Sequence, residues 1–119
     1  MSTVLVVDDE PDVRFMLCRV FERAGHKVIA SGNGDAALQA VKLSRPDLVV
    51  TDIIMPVMDG VELIRRLRAD PDTAAIPILS VSGDWHLAVD ADAVLAKPHQ
   101  WPDLLAVAER LLKAGRGQS

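Results

Sequence analysis

The sequence predicts an α/β fold: a doubly wound, five-stranded parallel sheet with helices on both faces. Three observations predict it. Short apolar runs rich in β-branched residues alternate with stretches whose apolar residues recur every three or four positions. The runs lack polar alternation, which suits strands covered on both faces. Acidic, hydroxyl and basic residues collect where the runs end, at Asp8, Asp9, Asp52, Ser82 and Lys97. Sheets of this kind bind ligands beyond the carboxyl ends of their strands.

Thr3 to Val7 reads as the first strand and stops at Asp8-Asp9-Glu10-Pro11. Pro11 suits the first position of a helix, and the acids suit its positive end. Val13, Met16, Leu17, Val20, Phe21 and Ala24 form the apolar stripe of that helix, which Gly25 closes. Lys27 to Ala30 is the second strand, Gly32-Asn33-Gly34 a turn, and Asp35 to Leu43 the second helix. Leu48 to Thr51 runs into Asp52 as the third strand, and a loop from Ile53 to Asp59 follows. Asp59 and Gly60 cap and turn into a helix with Val61, Leu63, Ile64 and Leu67 inward and Arg65, Arg66 and Arg68 on a solvated face. Ile76 to Val81 and Ala93 to Ala96 are the last two strands, and Pro102 to Lys113 the last helix.

Size and composition bound the function. Residues 1–119 are expected to make one domain, with 113–119 as a tail or the start of a linker. Half the residues are apolar and a quarter charged, a globular composition. Aromatics make up only 3%, so the core must be aliphatic. The net charge of −4 argues against direct nucleic-acid binding. No apolar run approaches the ~20 residues that a membrane helix needs. Cys18 is the one cysteine, which points to a reducing, cytoplasmic setting, and it is expected to pack half-buried in the first helix. Cys18, His26, His86 and His99 lack zinc spacing.

Crowded carboxylates repel one another unless a cation compensates. An oxygen-rich cluster of Asp8, Asp9 and Asp52 suits Mg²⁺, and Lys97 beside it supplies a positive charge for a phosphoryl oxygen. The set describes a magnesium-assisted phosphoryl site with a carboxylate nucleophile. A flavin domain would need a phosphate loop after the first strand, where Asp8-Asp9-Glu10-Pro11 would repel a phosphate.

Val4-Leu5-Val6-Val7-Asp8-Asp9-Glu10, the stretch Asp52-Ile53-Ile54-Met55-Pro56-Val57-Met58-Asp59-Gly60, Ser82, and Lys97-Pro98 together resemble the signature of two-component response-regulator receiver domains. The resemblance implies a flavodoxin-like or CheY-like sheet of order 2-1-3-4-5. It implies that Asp52 accepts a phosphoryl group from a sensor histidine kinase or phosphotransfer protein. It implies that Asp9, Asp52 and the backbone carbonyl of Ile54 hold Mg²⁺, with Asp8 acting through water. Lys97 would pair with the phosphoryl group, the N–H groups of Ile53 and Gly83 would assist, and Ser82 would be the switch hydroxyl. The chain would then be a signalling switch rather than an enzyme acting on a separate substrate, passing its state to a downstream protein around the fourth and fifth strands.

Two features depart from that pattern. The second switch position, aromatic in the family, is Val94. Ser82 and Lys97 are close in sequence, so the helix between the fourth and fifth strands is expected to be shortened or missing. A monomer or an atypical dimer is therefore expected. Trp85 and Trp101 are expected to cover core that the short segment leaves bare. The competing functional class is a receiver that works as a protein-interaction module independently of phosphorylation.

Overall fold

The computed structural model describes residues 2–55, 57–82, 91–96 and 103–114. Its strands are β1 (Thr3–Val7), β2 (Lys27–Ser31), β3 (Leu48–Thr51), β4 (Ile78–Ser82) and β5 (Ala93–Ala96). Its helices are α1 (Pro11–Arg23), α2 (Gly34–Ser44), α3 (Gly60–Ala69) and α4 (Leu104–Ala114). The strand pairings are parallel, as the alternation of strands and helices predicts, in the order β2-β1-β3-β4-β5 that the family resemblance implies. The ten residues that join β4 to β5 include 83–90, so the expected shortening of a helix there, with Trp85, falls outside the described residues, as does Trp101.

Side chains alternate across the pleat and divide the core in two. Leu5, Val7, Val49 and Ile78 meet Ala37 and Val41 of α2 and Leu63, Ile64 and Leu67 of α3. Val4, Val6, Leu48, Val50, Leu79, Val81 and Leu95 meet Leu17 and Phe21 of α1 and Leu104 and Ala108 of α4. Among the described residues Phe21 is the bulkiest fully buried side chain in this aliphatic interior. The sheet is thus covered on both faces, which is why its strands read as unbroken apolar runs.

Several boundaries and faces differ from expectation, each for a local reason. β4 starts at Ile78 rather than Ile76: the Ile76 N–H is used in a turn to Thr73, its carbonyl accepts from Arg68, and Pro77 has no N–H to give. α2 starts at Gly34 because Asn33, read as part of a turn, caps it by accepting from the Ala36 N–H at 2.9 Å. α4 runs on through Ala114, while Pro102, its expected start, lies outside the described residues. Met16 and Val61, expected inward, are 51% and 40% exposed, because Leu17 and Phe21 in α1 and Leu63, Ile64 and Leu67 in α3 already fill the buried stripes. Arg68, expected on the solvated face, turns inward. Its guanidinium donates to the carbonyls of Ala74 and Ile76 at 3.1 and 2.8 Å and pairs with Asp92 at 2.6 Å. Asp92 in turn accepts from the Ile78 N–H at 2.8 Å, tying the starts of β4 and β5 to the end of α3.

Candidate functional site

From β1 the chain steps outward to β2, then returns past β1 to form β3. The carboxyl ends of β1 and β3 therefore flank the point where strand order reverses, and a crevice opens there. Asp8 and Asp9 follow β1, and Asp52 follows β3. Asp8 is fully buried and Asp52 is 7% exposed, whereas Asp9 and Glu10 face solvent. Carboxylate oxygens of Asp8, Asp9, Glu10 and Asp52, one from each, lie within 4.8 Å of one another. This set of hard oxygen donors could hold a metal ion.

Backbone bonds aim these side chains. The Asp52 N–H donates to the Val7 carbonyl at 2.9 Å, extending the ladder by one residue and locking β3 to β1 at the site. Asp52 Oδ1 accepts from the Ile53 N–H at 2.7 Å, which fixes the carboxylate plane. Asp8 Oδ1 accepts from the Glu10 N–H at 2.9 Å, a short turn that folds Glu10 back toward the cluster. Arg14, one turn into α1, donates to the Asp8 carbonyl at 2.8 Å and secures the other end of that turn.

The loop after Asp52 is held by two glycines. A Cβ on Gly60 would collide with the Asp52 carbonyl, and the Gly60 N–H donates to the Ile53 carbonyl at 2.7 Å. A Cβ on Gly34 would collide with the Met58 carbonyl, to which the Gly34 N–H donates at 2.9 Å. Asp59 caps α3 as the sequence predicts, accepting from the Glu62 N–H at 2.9 Å. Between them Val57 stands at φ 69°, a left-handed conformation that a β-branched residue rarely adopts, and it is 84% exposed.

The structure brings Asp8, Asp9 and Asp52 together. Ile53 lies beside them, but its N–H is spent on the Asp52 carboxylate, so it reaches a ligand only if that bond opens. Ile54 follows at the rim, 55% exposed. Ser82 ends β4 and is buried on the face toward α2 and α3, and Val94 lies on that same face in β5. Lys97 and Gly83 lie outside the described residues. The sequence places Glu10 only at the helix start, and its membership of the cluster follows from the turn at Asp8. Its adjacency to the acidic pair was the available signal. The contacts of Arg14, Gly34 and Gly60 span 6 to 24 positions and had no local signal.

The family model described as the response regulator receiver domain matches residues 4–109. The response regulator receiver protein CpdR of Brucella abortus is 34% identical over 122 residues, covering 96% of this chain and 99% of that protein. The phosphate regulon transcriptional regulatory protein PhoB of Pseudomonas aeruginosa is 33% identical across 99% of this chain, which spans 55% of that longer protein. Among solved structures, the response regulator TrrA of Thermotoga maritima, in complex with Mg²⁺–BeF, superposes with a TM-score of 0.85 at 28% identity, covering 93% of this chain and 99% of that one. Sheet order, the acidic crevice and the length of the family match agree with one another. The chain belongs to the response regulator receiver domains of two-component phosphorelay signalling.

Proposed function

We propose that Asp52 is the phosphoryl acceptor of this receiver and that Mg²⁺ is its cofactor. The observation that carries the proposal is the nearly buried Asp52 carboxylate, oriented by the Ile53 N–H within a cluster of three further carboxylates. A carboxylate oxygen of Asp52 attacks the phosphorus of a phosphohistidine on a sensor histidine kinase or phosphotransfer protein. The O–P bond forms as the P–N bond breaks, and the electron pair returns to the imidazole nitrogen, which takes up a proton from solvent. Water later cleaves the acyl phosphate, giving back the carboxylate and inorganic phosphate. Asp9, Asp52 and the Ile54 carbonyl would hold Mg²⁺, with Asp8 acting through water; bound there, the ion neutralises charge on the phosphoryl oxygens. Lys97 would pair with the phosphoryl group, the N–H groups of Ile53 and Gly83 would assist, and Ser82 would turn its hydroxyl toward it.

Residues 1–119 work as one receiver domain in the cytoplasm, without a separate substrate and without direct nucleic-acid contact. No described helix is long and apolar enough to cross a membrane. The output is a population shift around β4 and β5, read by a downstream protein. Intact mass after acetyl phosphate treatment tests the proposal. A Mg²⁺-dependent gain of about 80 Da, one phosphoryl group, that is absent in Asp52→Asn is the expected result. An equal gain in folded Asp52→Asn, or no gain in wild type with Mg²⁺ bound, would overturn it; the second outcome would favour a phosphorylation-independent interaction module.

A further inference from the structure

A row of residues crosses the sheet one pleat below the site: Val7, Thr51, Ser80 and Val94 are mutual register partners on β1, β3, β4 and β5. The row faces α2 and α3, on the side that carries Val7 and Val94 in the core. Two hydroxyls sit at its centre. Thr51 Oγ1 donates to the Asp52 carbonyl at 2.7 Å, so it holds the backbone of the acceptor itself. Ser80 is fully buried, and its Oγ has no hydrogen-bond partner among the described residues.

A buried hydroxyl without a partner carries an uncompensated desolvation cost, and such groups in native structures call for a reason. Packing does not supply one, since alanine would fill nearly the same space. Neighbouring strands lie about 4.8 Å apart, which puts register partners such as Thr51 and Ser80 within hydroxyl reach after one side-chain rotation. The Thr51 hydroxyl has a single proton to donate. While it donates to the Asp52 carbonyl no bond to Ser80 Oγ is formed, and to donate to Ser80 Oγ it must release that carbonyl.

We propose that Thr51 and Ser80 form a two-position hydroxyl relay beneath the acceptor. In the unmodified protein Thr51 clasps the Asp52 carbonyl and Ser80 Oγ is left without a partner among the described residues. Loading of Asp52 shifts its backbone, Thr51 turns to donate to Ser80, and β4 is drawn toward β3, which moves its register partner Val94 in β5. Ser80 is here a positioning residue that links the acceptor to the β4–β5 edge through hydrogen bonds. The inference rests on Asp52 being the acceptor.

The test uses backbone amide shifts with and without Mg²⁺ and beryllofluoride, in wild type and Ser80→Ala, together with the melting temperature of each unmodified protein. Ser80→Ala is expected to melt no lower than wild type, since no bond is lost. It is expected to keep the ligand-induced shifts at Asp8, Asp9 and Ile53 and to lose the shift at Val94. Ser80→Cys, close in size but with a weakly bonding thiol, should behave the same way and separates loss of the hydroxyl from strand propensity. A lower melting temperature in both variants, or an intact Val94 shift in either, would overturn the relay while leaving Asp52 as acceptor. A wild type whose Asp8, Asp9 and Ile53 amides do not respond would overturn both.

Discussion

Gly60 stands where a side chain has no room, because a Cβ there would fall on the carbonyl of Asp52. Both neighbours there are backbone, so a methyl group could be accommodated only by moving the end of β3 or the start of α3. Gly60→Ala is expected to cost about 1–3 kcal/mol, the usual range for overpacking, seen as a lower urea midpoint. Wild-type stability in that variant would show that the loop yields. Cys18 gives the opposite kind of prediction. Burial first, and the Glu22 carboxylate second, push its thiol up against a smaller lowering by Arg14. Alkylation at neutral pH should therefore be much slower than for a free cysteine and speed up on unfolding, as thiol-labelling mass spectrometry would record. The three aspartates of the cluster were legible in the sequence because each ends an apolar run. Glu10 was legible only by its adjacency to the acidic pair, because its side chain is placed by the turn that the Asp8–Glu10 hydrogen bond makes.

Among the elements, α3 shows how far periodicity reaches. Leu63, Ile64 and Leu67 are buried as their spacing predicts, while Arg68 departs from the solvated face assigned to it because acceptors several residues away claim it. A planar fork can serve three acceptors at once and an ammonium cannot hold the same geometry. Arg68→Met is expected to cost about 2–3 kcal/mol, since it leaves Asp92 and two carbonyls without their charged donor, and Arg68→Lys should recover only part of the loss in thermal unfolding. At the other end of α3, Glu62 is held at about 2, below its ordinary 4.5, first by the hydrogen bond from Arg65 and then by that from Arg66. A lowered folded-state pKa stabilises the fold above the unfolded value and is lost as pH falls, here between 4.5 and about 2. Because the pair is solvent-exposed, the effect is small and screened. Glu62→Gln should match wild type near the acid end of that window and fall slightly below it at neutral pH, with the difference vanishing in high salt. Strand and helix order were readable because each element has a strong apolar signature. The boundaries at Ile78 and Gly34 were not, since long-range bonds and the Asn33 cap set them.

For the whole molecule, the acidic crevice works against the fold that builds it. Four carboxylates converge at one end of a chain whose net charge is −4. A cation that binds only the folded state stabilises it by mass action, by about 2.7 kcal/mol at 100 times its dissociation constant. Mg²⁺ is therefore expected to raise the melting temperature. Asp9→Asn should melt higher than wild type in a chelator and gain little from Mg²⁺, and an equal Mg²⁺ gain in that variant would remove Asp9 from the site. At the opposite end of the sheet, Arg68 and Asp92 bind the starts of β4 and β5 to α3. β4 is thus anchored at its amino end and carries the proposed switch hydroxyl, Ser82, at its carboxyl end. Amide shifts on adding Mg²⁺ and beryllofluoride are therefore expected to be smaller at Ile78 than at Ser82, and equal shifts at both would show that the anchor does not hold.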